Sequence, residues 1–466
     1  MYLPEDTIAA PATIPGTGAI SVIRVSGPRA LEATDAVVRF RRGTAVSAKG
    51  YSLKYGEVPD VDEVLVSVFR APASYTGEDS TEISCHASAF VVSKILELLA
   101  AAGCRMAQPG EFTRRAFVNG KMDLAQAEAV ADLIAAGSEA AHRIALKQLR
   151  GGFSAKLMKL RDSLVELSAL MELELDFSEE DVEFADRTKL RGILGETLAE
   201  VDSLAASFRA GNAIKNGVPV AIVGPVNAGK STLLNALCGE ARAIVSDIAG
   251  TTRDTVEETL TLGGILFRFI DTAGLRDTSD EIEKIGIERS RAAIAKADVV
   301  IALSESTSPA GEREAFFREI SGLLPEGTAM IRVISKADLV EGADDGIGGD
   351  AGKGANEGSG ECTLRICAKD GSGLEELRSA ILATQEGRYS AEELLVTNLR
   401  HFEALRSASG YLRSVRSGLD SALPTDLVAE DLRAAISELN SIFGDRESVD
   451  FQRVTDVIFS RFCIGK

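Results

Sequence analysis

Residues Gly224-Pro225-Val226-Asn227-Ala228-Gly229-Lys230-Ser231 satisfy GxxxxGK[ST], a spacing that cradles the phosphates of a nucleotide. The pattern lies between an apolar, β-branched run at 220–223 and a helix-like run at 232–237. In that setting the N–H groups of the turn and the positive end of the helix converge on an oxyanion. Lys230 reaches the β and γ oxygens, and the Ser231 hydroxyl suits Mg²⁺. Asn227, Ala228, Gly229 and Thr232 belong to the same cradle.

Three further segments extend this chemistry. Asp271-Thr272-Ala273-Gly274 follows a second apolar run, where an aspartate can hold Mg²⁺ through water and the Gly274 N–H can sense a γ-phosphate. Between the two, Gly250-Thr251-Thr252-Arg253-Asp254 stands where a switch loop must lie, and either threonine could complete the magnesium shell. Ser335-Lys336-Ala337-Asp338 follows another apolar run. Asp338 can accept from guanine N1–H and the exocyclic amine while the Lys336 stem covers the ring. Adenine lacks that donor pair, so it would leave a carboxylate unpaired. Cys367-Ala368-Lys369 can offer backbone N–H to guanine O6. Hydrolysis also needs an oriented water. Leu275, after Gly274, cannot polarise one; the acidic run Asp280-Glu281-Ile282-Glu283 is the nearest candidate, and residue type does not choose among its acids or exclude a solvated helix start.

These residues need elements to hold them. The 466 residues suggest about three domains. Residues 1–120 carry short β-type runs, at 19–25 and 64–69, separated by Pro15-Gly16, Gly27-Pro28, Pro59-Asp60 and Pro109-Gly110, with a helical stretch at 87–102; they read as an α+β domain. Residues 121–214 lack proline and read as helical, with Leu157, Leu160, Leu164 and Leu167 on one face. Strand-like runs at 220–223, 266–270, 299–303, 330–334 and 362–366, with helical runs between most of them, predict an α/β domain over 215–384. Residues 385–466 are helical again, and Val428, Leu432, Ala435, Ile436 and Leu439 form an apolar stripe. The economical reading inserts the α/β domain into a helical bundle whose halves bury each other's stripes; two separate helical domains would give the same pattern. Residues 341–360, with eight glycines, read as a surface insertion without chemistry.

Acidic residues outnumber basic ones, 70 to 51, giving a net charge of −19 and a pI near 4.8. Such a chain repels bulk nucleic acid unless a local positive patch or a partner offsets the charge. The six cysteines show neither CxxC spacing nor the density of a secreted scaffold, the first residues lack an export pattern, and no apolar run is long enough to span a bilayer. A cytoplasmic protein without a membrane span is expected. The histidines stand apart at 86, 142 and 401, so zinc ligation has no support.

The nucleotide motifs resemble the translation-factor class of GTPases. The whole chain resembles the MnmE (TrmE) family of GTPases that modify tRNA. Tyr75-Thr76-Gly77-Glu78-Asp79, the run 109–117, Asn119-Gly120-Lys121-Met122-Asp123-Leu124 and the terminal Phe462-Cys463-Ile464-Gly465-Lys466 carry the resemblance outside the α/β domain. It departs at Ser335, where the family has Asn, at Cys367, where it has Ser, and at Ala87-Ser88, where glycines are more frequent; 341–360 looks like an addition.

The resemblance implies a multidomain protein: an α+β N-terminal folate-binding-like domain that dimerises, a helical bundle, and an inserted P-loop α/β GTPase domain. It selects Glu283 as the catalytic residue acting through water. It assigns Ser231 and Thr252 to Mg²⁺, and Asn227 with Ser246, Ile248 and Thr251 to K⁺. It implies a tetrahydrofolate derivative, in the 5-formyl or 5,10-methylene form, at Arg24, Glu82 and Lys121, near the charged Glu111, Arg114 and Arg115. It marks Cys463 as functional without fixing its role. It implies a homodimer that works with the FAD-containing MnmG (GidA) protein on wobble uridine 34 of certain tRNAs. A regulatory GTPase switch in ribosome assembly is the competing reading.

Overall fold

The computed structural model describes residues 6–176, 187–239, 258–270, 291–340, 363–385, 394–421, 423–444, 451–460, 462 and 465. Contacts divide the chain into two compact units: Met1–Ile134, Ala145–Ala199 and Ala404–Lys466 form one, and Ala135–Ile144 with Glu200–Glu403 form the other.

The first unit begins with β1 (Ile8–Pro11), β2 (Gly18–Ser26), α1 (Ala30–Val37), β3 (Arg39–Phe40), β4 (Ser52–Val58), β5 (Asp62–Phe69), β6 (Ser80–Ala87), α2 (Ala89–Ala101), β7 (Arg105–Met106) and α3 (Glu111–Val118). The strands form one sheet in the order β3-β4-β5-β6-β2-β1-β7, antiparallel except for β1 against β7. Alternation sets its two faces. Val64, Val66, Val68, Ile83, Cys85, Ile23 and Val25 point to the core with residues of α1 and α2. The opposite face pairs Arg24 with Glu82 across β2 and β6. The β-runs expected at 19–25 and 64–69 and the helix at 87–102 are thus β2, β5 and α2.

Helices α4 (Leu124–Ala135), α5 (Glu139–Leu149), α6 (Gly152–Asp176) and α7 (Arg187–Ala206) follow. The 157/164/167 leucines of α6 are buried, as are Val428, Leu432, Ala435 and Leu439 of the helix Thr425–Phe443. These two helices pack on each other within the first unit, although 200–403 intervenes in sequence.

The second unit contains α8 (Phe208–Asn216), β8 (Val218–Val223), α9 (Lys230–Gly239), β9 (Glu258–Leu262), β10 (Ile265–Phe269), β11 (Val299–Glu305), β12 (Ala329–Ser335) and β13 (Thr363–Arg365). Its sheet has the order β13-β12-β11-β8-β10-β9, parallel except for the edge strand β9. Buried β-branched strands flanked by helices produce apolar clusters on both faces: Val220, Ile301 and Leu233 lie in one, Ala221, Val300 and Phe317 in the other. The α/β class and the five strand runs hold; β9 is an additional edge strand, whose two-sided apolar signal is weak. No described helix is long and apolar enough to cross a membrane.

Candidate functional site

The phosphate loop connects the carboxyl end of β8 to the first turn of α9. Ligands of open α/β sheets bind at this edge. Two backbone features shape the loop. Asn227 and Gly229 have φ of 66° and 89°, turning successive peptide N–H groups inward. At Gly224 a Cβ would overlap the Leu303 carbonyl of β11, so the loop leaves the sheet only with glycine there. Lys230 Nζ donates to the Gly224 and Pro225 carbonyls at 2.9 and 2.8 Å. Burial lowers its pKa from the usual lysine value. The ammonium is therefore held over the loop by weak neutral acceptors, which a phosphate would replace with stronger charged ones.

The base-reading segment is tied to this loop. Ser335, 5% exposed, donates from Oγ to the Ala228 carbonyl at 2.7 Å, with the Ser304 carbonyl at 3.2 Å. Its hydroxyl fastens β12 to the phosphate loop. Lys336 then takes φ of 56°; Ser306 Oγ donates to its carbonyl at 2.6 Å, and its Nζ pairs with Glu305 at 2.8 Å. Asp338 is exposed, and Cys367 Sγ donates to its Oδ1 at 3.4 Å. The Cys367 N–H donates to the Ser372 carbonyl, so the N–H groups left for a base oxygen in that segment are those of Ala368 and Lys369. Asn227, Thr232, Asp338 and Lys369 all present exposed residues, as ligand-facing groups must before a ligand arrives.

In the first unit, Arg24 donates to Glu82 Oε1 from Nε at 3.0 Å and Nη2 at 2.8 Å. The guanidinium lies 5.1 Å from the Tyr75 ring centroid and 5.6 Å from that of Phe112. Tyr75 shares a 2.8 Å hydrogen bond with Thr113, and burial raises the phenol pKa. Lys121 Nζ donates to the Pro72 carbonyl at 2.9 Å, at the start of the loop that carries Tyr75. A cationic, acidic and aromatic triad of this kind suits a planar heterocycle with polar edges.

The MnmE helical domain model matches residues 124–463, and the model for the N-terminus of the GTP-binding protein TrmE matches 7–121. The chain belongs to the MnmE family. The tRNA modification GTPases MnmE of Parabacteroides distasonis and Bacteroides thetaiotaomicron are each 47% identical to it over 99% of its length and 100% of theirs. That of Porphyromonas gingivalis is also 47% identical, over 99% of this chain and 98% of its own. Among solved structures, the G domain of the T. maritima FeoB iron transporter covers 36% of this chain and 99% of its own at 25% identity. Its TM-score of 0.26 is too low to add to the assignment.

Within this MnmE-family chain, Asp271, Gly274, Thr251, Thr252, Ser246, Ile248, Glu283 and Cys463, expected at the nucleotide, ion and C-terminal sites, and the 341–360 insertion lie outside the described residues. Glu111, Arg114 and Arg115, whose charges could meet folate carboxylates, are engaged within the protein. Arg115 is fully buried, pairing with Asp6 at 2.5 Å, Glu111 at 3.2 Å and Glu78 at 3.3 Å. Arg105 pairs with Glu111 at 2.6 Å, and Arg114 with Asp456 at 2.9 Å. Removing such a guanidinium would strand buried carboxylates, so the network has a folding role. At the C-terminus, buried Gly465 has φ of 95°, and a Cβ there would overlap the Pro11 carbonyl. Gly465 thus lies against Pro11 of β1, whose Ala10 is the cross-strand partner of Arg24.

Sequence reading missed Tyr75 and Phe112 as neighbours of Arg24, and Glu305 as the partner of Lys336. Tyr75 stood in a run already tied to the family; nothing in a lone Glu at the end of a strand marks it.

Proposed function

We propose that this chain is the GTP-hydrolysing subunit of an enzyme complex that installs an aminomethyl-type group at C5 of wobble uridine 34 in certain tRNAs. One observation carries the nucleotide part: the Ser335–Ala228 hydrogen bond makes the phosphate loop and the approach to Asp338 parts of a single site. The tRNA part is supported by family membership along 99% of the chain.

The donor sets fit the ions of this chemistry. The Ser231 hydroxyl, with Thr252, is a hard-oxygen set suited to Mg²⁺. Asn227, exposed and in a left-handed turn, offers an amide oxygen to K⁺, with Ser246, Ile248 and Thr251 as the remaining ligands. The cations would neutralise charge developing between the phosphates. Lys230 would bind the phosphate oxygens, Asp271 and Gly274 would sense the metal and the γ-phosphate, and Glu283 would orient the attacking water. Asp338 would read guanine, Lys336 would cover it, and Cys367, Ala368 and Lys369 would border its O6 edge.

Arg24, Glu82 and Lys121 would hold a tetrahydrofolate derivative, in the 5-formyl or 5,10-methylene form, with Tyr75 beside it and buried Phe112 backing Arg24. The folate supplies the one-carbon unit. Pairing of two copies through the N-terminal sheet is supported by an exposed apolar stretch: Leu53 on β4 and Leu65 on β5 are 63% and 43% exposed on the face opposite the α1/α2 core. MnmG would contribute the flavin, and Cys463 would be a functional residue. The domains would run 1–120, 121–214, 215–384 and 385–466, and the packing of α6 on the helix Thr425–Phe443 supports joining the second and fourth in one helical domain. A cytoplasmic setting accords with buried free thiols at Cys85, Cys104, Cys238 and Cys367.

Mass spectrometry of tRNA nucleosides from a strain lacking the gene tests the proposal. The C5 substituent of U34 is expected to vanish. Its persistence would overturn the modification role and leave the ribosome-assembly switch.

A further inference from the structure

A second polar cleft lies in the α/β unit, away from the phosphate loop. It surrounds the amino-terminal ends of β8 and β11 and the end of α8, whereas the phosphate loop leaves the carboxyl end of β8. The cleft encloses about 590 Å³. Arg209, Arg268 and Lys296 line it with the amides of Asn212 and Asn216, and Asp298 is the single carboxylate among its described lining residues. Arg209 neutralises that carboxylate, donating to Asp298 Oδ1 from Nη2 at 2.6 Å and Nε at 3.1 Å. The described lining residues carry three basic groups against one carboxylate, in a chain of net charge −19. The negative end of the α8 dipole, about half a unit charge, opposes an anion here but is outweighed by the cations. Its volume exceeds that of one oxyanion and matches a nucleotide-sized ligand.

We propose that this cleft binds the phosphate group of a nucleotide unit, as an RNA phosphodiester or a free mononucleotide. Arg268 and Lys296 supply the charge, and the two asparagines supply hydrogen bonds to sugar or base. Arg209 is the clamp that keeps Asp298 from repelling the ligand. The RNA source rests on the tRNA reading above; the mononucleotide source does not.

The test uses the full-length protein saturated with GDP, so that the phosphate loop is filled. Arg268→Gln/Lys296→Gln is compared with the unaltered chain, using a labelled tRNA transcript over a salt series and AMP by calorimetry. Lys296→Gln alone, at an exposed position, serves if the double variant folds poorly. GDP affinity and GTP turnover should not change in either variant. For the RNA source, transcript affinity falls about tenfold in the double variant at low salt, and the slope of log K against log salt becomes shallower by about one to two. For the mononucleotide source, AMP binding is lost while transcript binding stays. The proposal is overturned if neither probe binds the unaltered protein, or if both bind the variants equally well. The U34 assay decides the tRNA reading separately, because it does not depend on this cleft.

Discussion

The Ser335 hydroxyl and the Ala228 carbonyl are 2.7 Å apart, joining residues separated by 107 positions across the end of the α/β sheet. The bond is buried, so its loss leaves a carbonyl without its donor. It also occupies the Ser335 hydroxyl, leaving guanine selection to Asp338.

Ser335→Ala should therefore lower stability by about 1–3 kcal/mol and weaken GDP binding by about tenfold, since the loop must be re-ordered on binding. Thermal unfolding and nucleotide titration measure both effects. Unchanged values in both would show that the bond does not hold the loop.

Arg24→Ala should reduce affinity for a tetrahydrofolate derivative by about 10- to 100-fold, the equivalent of about 1.5–3 kcal/mol for a charged hydrogen bond. GTP turnover by the isolated protein should stay the same, because Arg24 belongs to the other unit. Calorimetry with 5-formyltetrahydrofolate reads the first effect and phosphate release the second. Undiminished folate binding would remove Arg24 from that site.

Burial pushes the Cys85 thiol up to about 11, helped by nearby Asp62, and burial does the same to Cys104 against the opposing charge of Arg29. Folding thus favours the protonated thiols, whereas the unfolded chain ionises them near pH 9.0. Their contribution is complete below about pH 9 and declines as pH rises toward 11. The double variant Cys85→Ala/Cys104→Ala should lose less stability than the natural chain between pH 8 and pH 11, as read by denaturant unfolding. Equal losses would contradict the assignment. Both native thiols should also resist alkylation at pH 8.

The parts of the fold with local signatures were the legible ones. The 224–231 loop was recognisable because a glycine-rich turn, a strand and a helix occur in one short window, and α6 and the 425–443 helix because their apolar residues recur at helical spacing. Ser335 is different: in the sequence it is only a departure from the family's asparagine, and only the sheet brings it to Ala228. Arg115 shows the same limit. Beside Arg114 it resembles a solvated pair, yet it is fully buried among Asp6, Glu78 and Glu111, carboxylates up to 109 positions away. Local periodicity reports which face a residue occupies; it does not report which distant charge meets it there. The Arg24–Glu82 pair was named through resemblance, and strand register explains it, since the two are direct partners on β2 and β6.

Nucleotide selection tests the central claim most directly. The full-length protein in Mg²⁺ and K⁺ is titrated with GDP and with ADP, and again with GDP after Asp338→Asn. Tight GDP binding, ADP binding at least about 100-fold weaker, and a loss of about 10- to 100-fold in the variant are predicted. Equal affinity for the two nucleotides, no binding of either, or an Asp338→Asn protein as avid for GDP as the original would contradict it.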